Sequence, residues 1–98
     1  MYILVKEALD VGKALVAVAH ASLGMYLKYQ DDDSVKDWLS GSFKKVICKV
    51  SPEEFERAKS FSEHLVITES SLGDAEVALA FKPRKVWPKA FYYYRLFR

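Results

Sequence analysis

A lysine and a histidine lie at helical spacing in an otherwise uncharged stretch of the chain. Residues 14–27 carry no formal charge at neutral pH, apart from a possible charge on His20. At about 100° per residue, one stripe of a helix here contains Lys13, Ala17, His20 and Gly24. The stripe could present a cation and an imidazole to one ligand. The alternative is a core helix on which Lys13 only contacts solvent and His20 is a buried histidine with satisfied hydrogen bonds.

Lys13 lies where a predicted strand, residues 2–5, gives way through a loop containing Gly12 to this helix. The first backbone N–H groups of a helix have no internal partners and favour a nearby anion. The stretch is not a P-loop, because the other glycines and the Ser or Thr after the lysine are missing. Glu69 follows the third predicted strand, and functional groups of open α/β sheets gather at the carboxyl ends of strands. We therefore expect Lys13 and Glu69 to share one cleft.

The order of the elements predicts an α/β fold. The sequence predicts strands at 2–5, 43–50, 65–68 and 76–81, and helices at 13–29, between Ser34 and Gly41, and from 52 to about 62. This order implies a four-stranded mixed sheet with helices on both faces. Residues 1–98 are enough for one domain only. Ala78 and Ala80 leave room on one face for the alanine-rich first helix, which we expect to be buried.

Composition narrows the functional classes. The charge-free run is shorter than the roughly 20 apolar residues of a membrane span, so we expect no membrane association. A single cysteine, Cys48, cannot form an internal disulfide, and the chain begins with a strand-like segment instead of a signal peptide. Both features favour a reducing, cytoplasmic location. His20, His64 and Cys48 lack the spacing of metal ligands, so we expect neither a metal nor another cofactor.

The C-terminal segment, residues 84–98, is basic and aromatic. No acid follows Glu76, whereas the end of the chain carries Lys82, Arg84, Lys85, Lys89, Arg95 and Arg98. Interleaved aromatic and basic residues can stack on bases and hold phosphates. We expect nucleic-acid contacts from Lys82, Arg84, Lys85 and Lys89. Alternatively, the aromatic side chains cover the sheet or a dimer seam while the cations stay in water.

Several of these motifs resemble the peptidyl-tRNA hydrolase 2 family. Its signature helix is similar to Gly12 and Lys13, followed by residues 18–21 (Val-Ala-His-Ala), Gly24 and Tyr26. Trp38, followed seven residues later by the run 45–49, looks like the tryptophan and second strand of that family. Residues 78–83 resemble its last strand, which also ends in proline. The resemblance covers most of residues 1–83.

The resemblance implies an esterase that cleaves peptidyl-tRNA into peptide and free tRNA. It implies a functional lysine at Lys13 and a carboxylate at Glu69, where the family has an aspartate followed by a threonine-glutamine pair. It also exposes departures: a family glutamine is Ala17 here, and the loop 70–75 is about four residues shorter and lacks the pair. We therefore take Lys13, Glu69 and His20 as the candidate catalytic residues and expect weak activity.

Two other functions remain compatible with the sequence. The chain could be a non-catalytic module that binds tRNA or a protein and has lost the catalytic loop. It could also be a structural homodimer without a small substrate. For all three functions we expect a homodimer. For the esterase and for the binding module we also expect tRNA or peptidyl-tRNA as a partner.

Overall fold

The computed structural model describes residues 1–98 as three helices and one five-stranded mixed sheet. The strands are β1 (Tyr2–Lys6), β2 (Val46–Val50), β3 (His64–Glu69), β4 (Ala75–Phe81) and β5 (Arg95–Leu96). The helices are α1 (Val11–Tyr29), α2 (Asp33–Ser40) and α3 (Pro52–Ala58). The strand order is β3-β4-β1-β2-β5, with β1 and β2 parallel and the other pairs antiparallel. The α/β prediction is confirmed, and no helix is long and apolar enough to cross a bilayer.

The prediction of four strands is wrong, because the C-terminal segment supplies a fifth. Arg95 and Leu96 pair antiparallel with Lys49 and Cys48 on the outer edge of β2. The pairing is two residues long and joins segments that are distant in the sequence. Short edge strands of this kind have no alternating pattern long enough to be recognised from sequence. The C-terminal segment is thus part of the sheet.

The sheet is covered on both faces, as the sequence predicts. Along β1, Ile3 and Val5 belong to one core cluster with α1, while Leu4 belongs to a second cluster with α3. Alternate residues of a strand point to opposite faces. A strand buried on both faces explains the continuous apolar run near the start of the chain.

The first helix packs on the sheet through its smallest side chains. Its buried residues are Ala14, Ala17, Ala21 and Met25, and they share a core with Ala78 and Ala80 of β4. A Cβ on Gly24 would meet Cδ2 of Leu65 at 2.7 Å, which marks the close approach of α1 to β3. The predicted contact between the two sets of alanines is confirmed.

The expectation that the first helix is buried holds for one face of it only. Leu15 and Leu23 are 66% and 61% exposed, and His20 is exposed instead of buried in the core. The helix has apolar residues on every side, so hydrophobicity alone could not identify its inner face. The small residues lie inside because they allow the helix to approach the sheet closely.

Local signals position α2 and α3. Ser51 and Glu54 form a reciprocal capping box, and Pro52 occupies the first helical position of α3, as the sequence predicts. Helix α3 ends at Ala58, about four residues before the predicted end. Helix α2 ends before Gly41.

Phe91 anchors the C-terminal segment in the core. It is 2% exposed and packs with the rings of Tyr2, Phe61, Phe81, Trp87 and Tyr94. The interpretation that aromatic residues cover the sheet therefore holds for Phe91. It does not hold for Tyr92 and Tyr93, which are exposed.

We expect Phe91→Ala to destabilise the protein by about 3–5 kcal/mol, because it removes a buried ring and leaves a cavity. Urea unfolding followed by far-UV circular dichroism measures the change. Tyr93→Ala is the matched control: the neighbouring tyrosine is 72% exposed, so its loss should change stability by less than about 0.5 kcal/mol. Equal effects of the two substitutions would show that the segment is not anchored through Phe91.

Candidate functional site

Strand direction brings the ends of β1 and β3 to the same edge of the sheet. Both strands run antiparallel to β4, which lies between them, so they are parallel to each other. Lys13 is in the first turn of α1, which follows β1, and Glu69 is the last residue of β3. The two side chains therefore start from the same edge of the sheet.

Asp10 holds Lys13 in place. Asp10 is the N-cap of α1: its Oδ1 accepts a hydrogen bond of 3.1 Å from the backbone N–H of Lys13. Its Oδ2 accepts one of 3.3 Å from Lys13 Nζ. The backbone and side-chain hydrogen bonds from Lys13 hold the pKa of Asp10 below its usual value. Asp10 is not among the site residues predicted from the sequence, although an aspartate just before a helix is a recognisable cap.

Glu69 is ionised and oriented by its own turn. Its Oε2 accepts hydrogen bonds of 2.9 Å from the backbone N–H of Ser71 and of 2.7 Å from Ser71 Oγ. These two bonds are the main reason that the pKa of Glu69 is lowered. A shift in strand register between Ile67 and Thr68 precedes it, and such bulges redirect the side chains near them.

Lys13 and His20 both act electrostatically on Glu69. The positive charges of these two side chains further lower the pKa of Glu69, after the bonds from Ser71. The three groups therefore face one region, with His20 exposed on the flank of α1. Ala17, on the same predicted stripe, points into the core and is buried. The three cavities described here are not lined by these groups, and the expectation that Lys13 and Glu69 share one cleft stays a prediction.

The connection after Glu69 is a tight turn. Residues Ser70–Leu72 form a single turn of 3-10 helix, followed by Gly73 at φ 65° and Asp74 at φ 59°. Positive φ favours glycine, so Gly73 suits the point where the chain reverses. Ser71 is the only hydroxyl of the turn that contacts Glu69. The connection that follows Glu69 is therefore too short to form an extended loop.

The four cations predicted to contact nucleic acid differ in their surroundings. Lys82 Nζ lies 2.6 Å from both Asp32 Oδ2 and Glu63 Oε2, and its side chain is only 12% exposed. Its charge is therefore already matched by two carboxylates. Lys85 and Lys89 are exposed and form no ion pair.

Arg84 is half-buried and has no carboxylate partner. Its Nη2 donates 2.9 Å to the Ser62 carbonyl, and its guanidinium carbon lies 4.9 Å from the centre of the Trp87 ring. These contacts hold the side chain but leave its charge uncompensated.

Arg84 and Lys85 line a cavity of about 450 Å³ at the other edge of the sheet. Ser34 and Trp38 of α2 and Tyr92 of the C-terminal segment also line it. Ser34 is not among the site residues predicted from the sequence, whereas Tyr92 belongs to the aromatic segment for which base stacking is one of two open alternatives. No local pattern links them, because the cavity forms only when the C-terminal segment folds back over β1 and β2.

The remaining reactive side chains do not form a metal centre. No three His, Cys, Asp or Glu side chains are grouped so that they could hold a metal ion. His64 Nδ1 lies 2.8 Å from the Phe61 carbonyl. Burial raises the pKa of the Cys48 thiol to about 11, so it is protonated at neutral pH and a poor nucleophile.

Comparison with known proteins identifies the family. The family model of peptidyl-tRNA hydrolase PTH2 matches residues 1–84, which include β1 to β4, all three helices, Lys13, His20 and Glu69. No curated protein matches the sequence. The family match ends before most of the C-terminal segment. With 84 of its 98 residues matched, the chain belongs to the peptidyl-tRNA hydrolase PTH2 family.

Proposed function

We propose that this protein hydrolyses the ester bond between peptide and tRNA, with low activity. One observation carries the proposal: Lys13 and Glu69 start from the sheet edge where β1 and β3 end, and Lys13 and His20 lie near enough to Glu69 to help lower its pKa. Membership of the family supplies the substrate class. We also propose a cytoplasmic location, because the single cysteine suits a reducing compartment.

In the proposed reaction, a water held by the Glu69 carboxylate attacks the ester carbonyl carbon. Its proton passes to Glu69 or to solvent, the carbon–oxygen bond to the ribose breaks, and the ribose oxygen leaves as a hydroxyl after taking up a proton. Lys13 supplies positive charge for the oxyanion that develops on the carbonyl oxygen. His20 contributes by favouring the ionised form of Glu69.

The surroundings of these groups explain why we expect a slow reaction. The lowered pKa of Glu69 makes it a weak base, so it is better suited to orient water than to deprotonate it. Lys13 Nζ is engaged with Asp10. Ser71, the hydroxyl nearest to Glu69, already donates to that carboxylate. Few donors are therefore free to meet an oxyanion, and losing one such donor typically lowers the rate by about 10²–10³.

A non-catalytic tRNA- or protein-binding module is the second candidate function. The observation that favours it is the short turn Ser70–Leu72, which leaves no counterpart for the threonine-glutamine loop of the family. A shared fold does not guarantee a shared reaction. The substitutions below distinguish the two functions.

We expect purified protein to cleave peptidyl-tRNA slowly, and Lys13→Ala or Glu69→Gln to lower kcat/KM by about 10²-fold or more. Release of peptide from labelled peptidyl-tRNA measures the rate. Lys28→Ala is the control, because this exposed lysine lies at the far end of α1 and should leave the rate unchanged.

Two results would contradict the esterase assignment. If cleavage persists unchanged in Lys13→Ala and Glu69→Gln, other residues carry the reaction. If the wild-type protein binds tRNA but cleaves no ester, the binding-module alternative is correct. If the wild-type protein cleaves rapidly and each substitution abolishes cleavage, the assignment of Lys13 and Glu69 is correct and the expected low activity is wrong.

We further propose that tRNA phosphates contact Lys85 and Lys89, whose charges are unpaired, and Arg84, whose charge has no carboxylate partner. Affinity should fall steeply with salt, because each phosphate contact releases counterions. The double substitution Lys85→Gln with Lys89→Gln should reduce the slope of log K against log salt by about 1.5–2. Filter binding at several salt concentrations measures this slope.

A charge-matched control tests whether position matters. Lys28→Gln with Lys36→Gln removes two exposed cations from α1 and α2. This variant should keep the wild-type slope. Equal slopes for both double variants would mean that tRNA affinity depends on the net charge of the protein and not on the position of the lysines. A wild-type slope near zero would exclude phosphate contacts.

We propose that a second copy of the chain covers the outer face of α1. This α1 ridge consists of residues spaced by four: Val11, Leu15, Ala19, Leu23 and Leu27, all exposed. Rows with this spacing interdigitate when two helices pack. The ridge carries no charge, so a two-fold axis would bring no like charges together.

The exposed area fits a dimer interface. The large exposed apolar side chains on and beside the α1 ridge are Val11, Leu15, Val16, Leu23, Leu27, Leu39 and Phe43. Each of these residues is 44–66% exposed. Contiguous apolar patches of more than a few hundred Å² mark interaction sites on soluble proteins, so this surface suits a partner of the same kind.

We expect Leu23→Glu to convert the dimer to a monomer, because the ridge would then bury an unpaired charge. Sedimentation velocity measures the change. Val86→Glu is the control: Val86 is 82% exposed but lies outside the ridge, so the dimer should persist. A wild-type monomer at high concentration, or a dimer that survives Leu23→Glu, would refute the interface.

A further inference from the structure

The cavity between α2 and the C-terminal segment has the composition of a ligand site. Its volume of about 450 Å³ lies in the range of small-molecule pockets, about 300–1,000 Å³. It opens at the amino ends of β1 and β2, where Tyr2 and Val46 line it. Lys13 and Glu69 lie beyond the other ends of the strands, so the cavity is separate from the proposed esterase site.

The charge of the cavity favours an anion. Lys44, Arg84 and Lys85 line it, and none of them forms an ion pair with an acid. Asp37 is the only acidic residue in the wall. Two unmatched positive charges therefore remain at neutral pH, which suits a phosphate group.

Aromatic rings form the rest of the wall. Tyr2, Trp38, Trp87 and Tyr92 all line the cavity. Tyr92 is 66% exposed and packs against no other ring. A free aromatic face beside unpaired cations is the arrangement that stacks a base while holding its phosphate.

We propose that this cavity binds one nucleotide unit, with the base on Tyr92 and the phosphate near Arg84 and Lys85. The same chemistry is offered by a free nucleoside monophosphate and by a nucleotide within single-stranded RNA. The proposal does not depend on ester hydrolysis, because none of its residues belongs to the Lys13 and Glu69 face.

Intrinsic fluorescence tests the proposal directly. The chain has two tryptophans, and both line the cavity, so a bound base should quench their emission. Adenosine 5′-monophosphate should quench saturably and bind about tenfold more tightly than adenosine, because adenosine lacks the phosphate. We would also titrate a single-stranded hexaadenylate RNA. If neither this RNA nor the monophosphate quenches saturably up to millimolar concentration, the proposal is overturned.

Two substitutions, each with a matched control, locate the bound groups. Tyr92→Ala should weaken binding about tenfold, whereas Tyr93→Ala, a comparably exposed neighbour outside this cavity, should not. Lys85→Gln should weaken binding about threefold to tenfold, whereas Lys28→Gln, at an exposed lysine of α1 outside this cavity, should not. Equal effects within either pair would refute this site.

The two ligand sources give different results. If hexaadenylate binds at least about tenfold more tightly than the monophosphate and weakens with salt, the source is RNA. Similar affinities indicate a free nucleotide. Lys13→Ala and Glu69→Gln should leave both affinities unchanged, so loss of ester hydrolysis and loss of nucleotide binding are measured separately. Loss of nucleotide binding in either of these variants would contradict a separate site.

Discussion

The contact between the alanines of α1 and those of β4 is the constraint on which the rest of the structure depends. Ala17 and Ala21 share a core with Ala78 and Ala80, so the helix lies close to the sheet. Its first turn consequently stays near the end of β3, within electrostatic reach of Glu69. A larger side chain at any of these positions would lift the helix or force the core to rearrange. Packing and the candidate site thus share one cause.

The same contact reverses the usual distribution of side-chain size on a helix. Three of its alanines lie inside with Met25, and its leucines lie outside, where they form the α1 ridge together with Val11 and Ala19. The sequence contains most of this division, because alanines recur at 14, 17 and 21 while leucines recur at 15, 23 and 27. The expectation of a buried helix rests on the alanines of the run and on their fit to Ala78 and Ala80, and that contact forms. The leucines lie outside because the close approach to β4 leaves room only for small side chains.

Local features could be predicted from the sequence, and contacts between distant residues could not. The capping box at Ser51 and the end of α2 before Gly41 depend on neighbouring residues. Strand β5 pairs Leu96 with Cys48, and Lys82 meets Asp32 across 50 positions; no local pattern encodes either contact. The candidate site lies between these cases. Strand order predicted a common edge for Lys13 and Glu69, but not the hydrogen bonds that Asp10 and Ser71 make to them.

The two candidate sites also differ in which part of the chain builds them. The Lys13 and Glu69 face lies wholly within the residues that match the family, whereas Lys85, Trp87 and Tyr92 of the cavity lie beyond residue 84. This outer wall is nevertheless fixed, because Phe91 of the same segment is buried in the core and β5 is paired to the sheet. The C-terminal segment therefore builds the proposed nucleotide site without contributing a residue to the proposed esterase site. The strands separate the two sites, which is why substitutions at one are expected to leave the other unchanged.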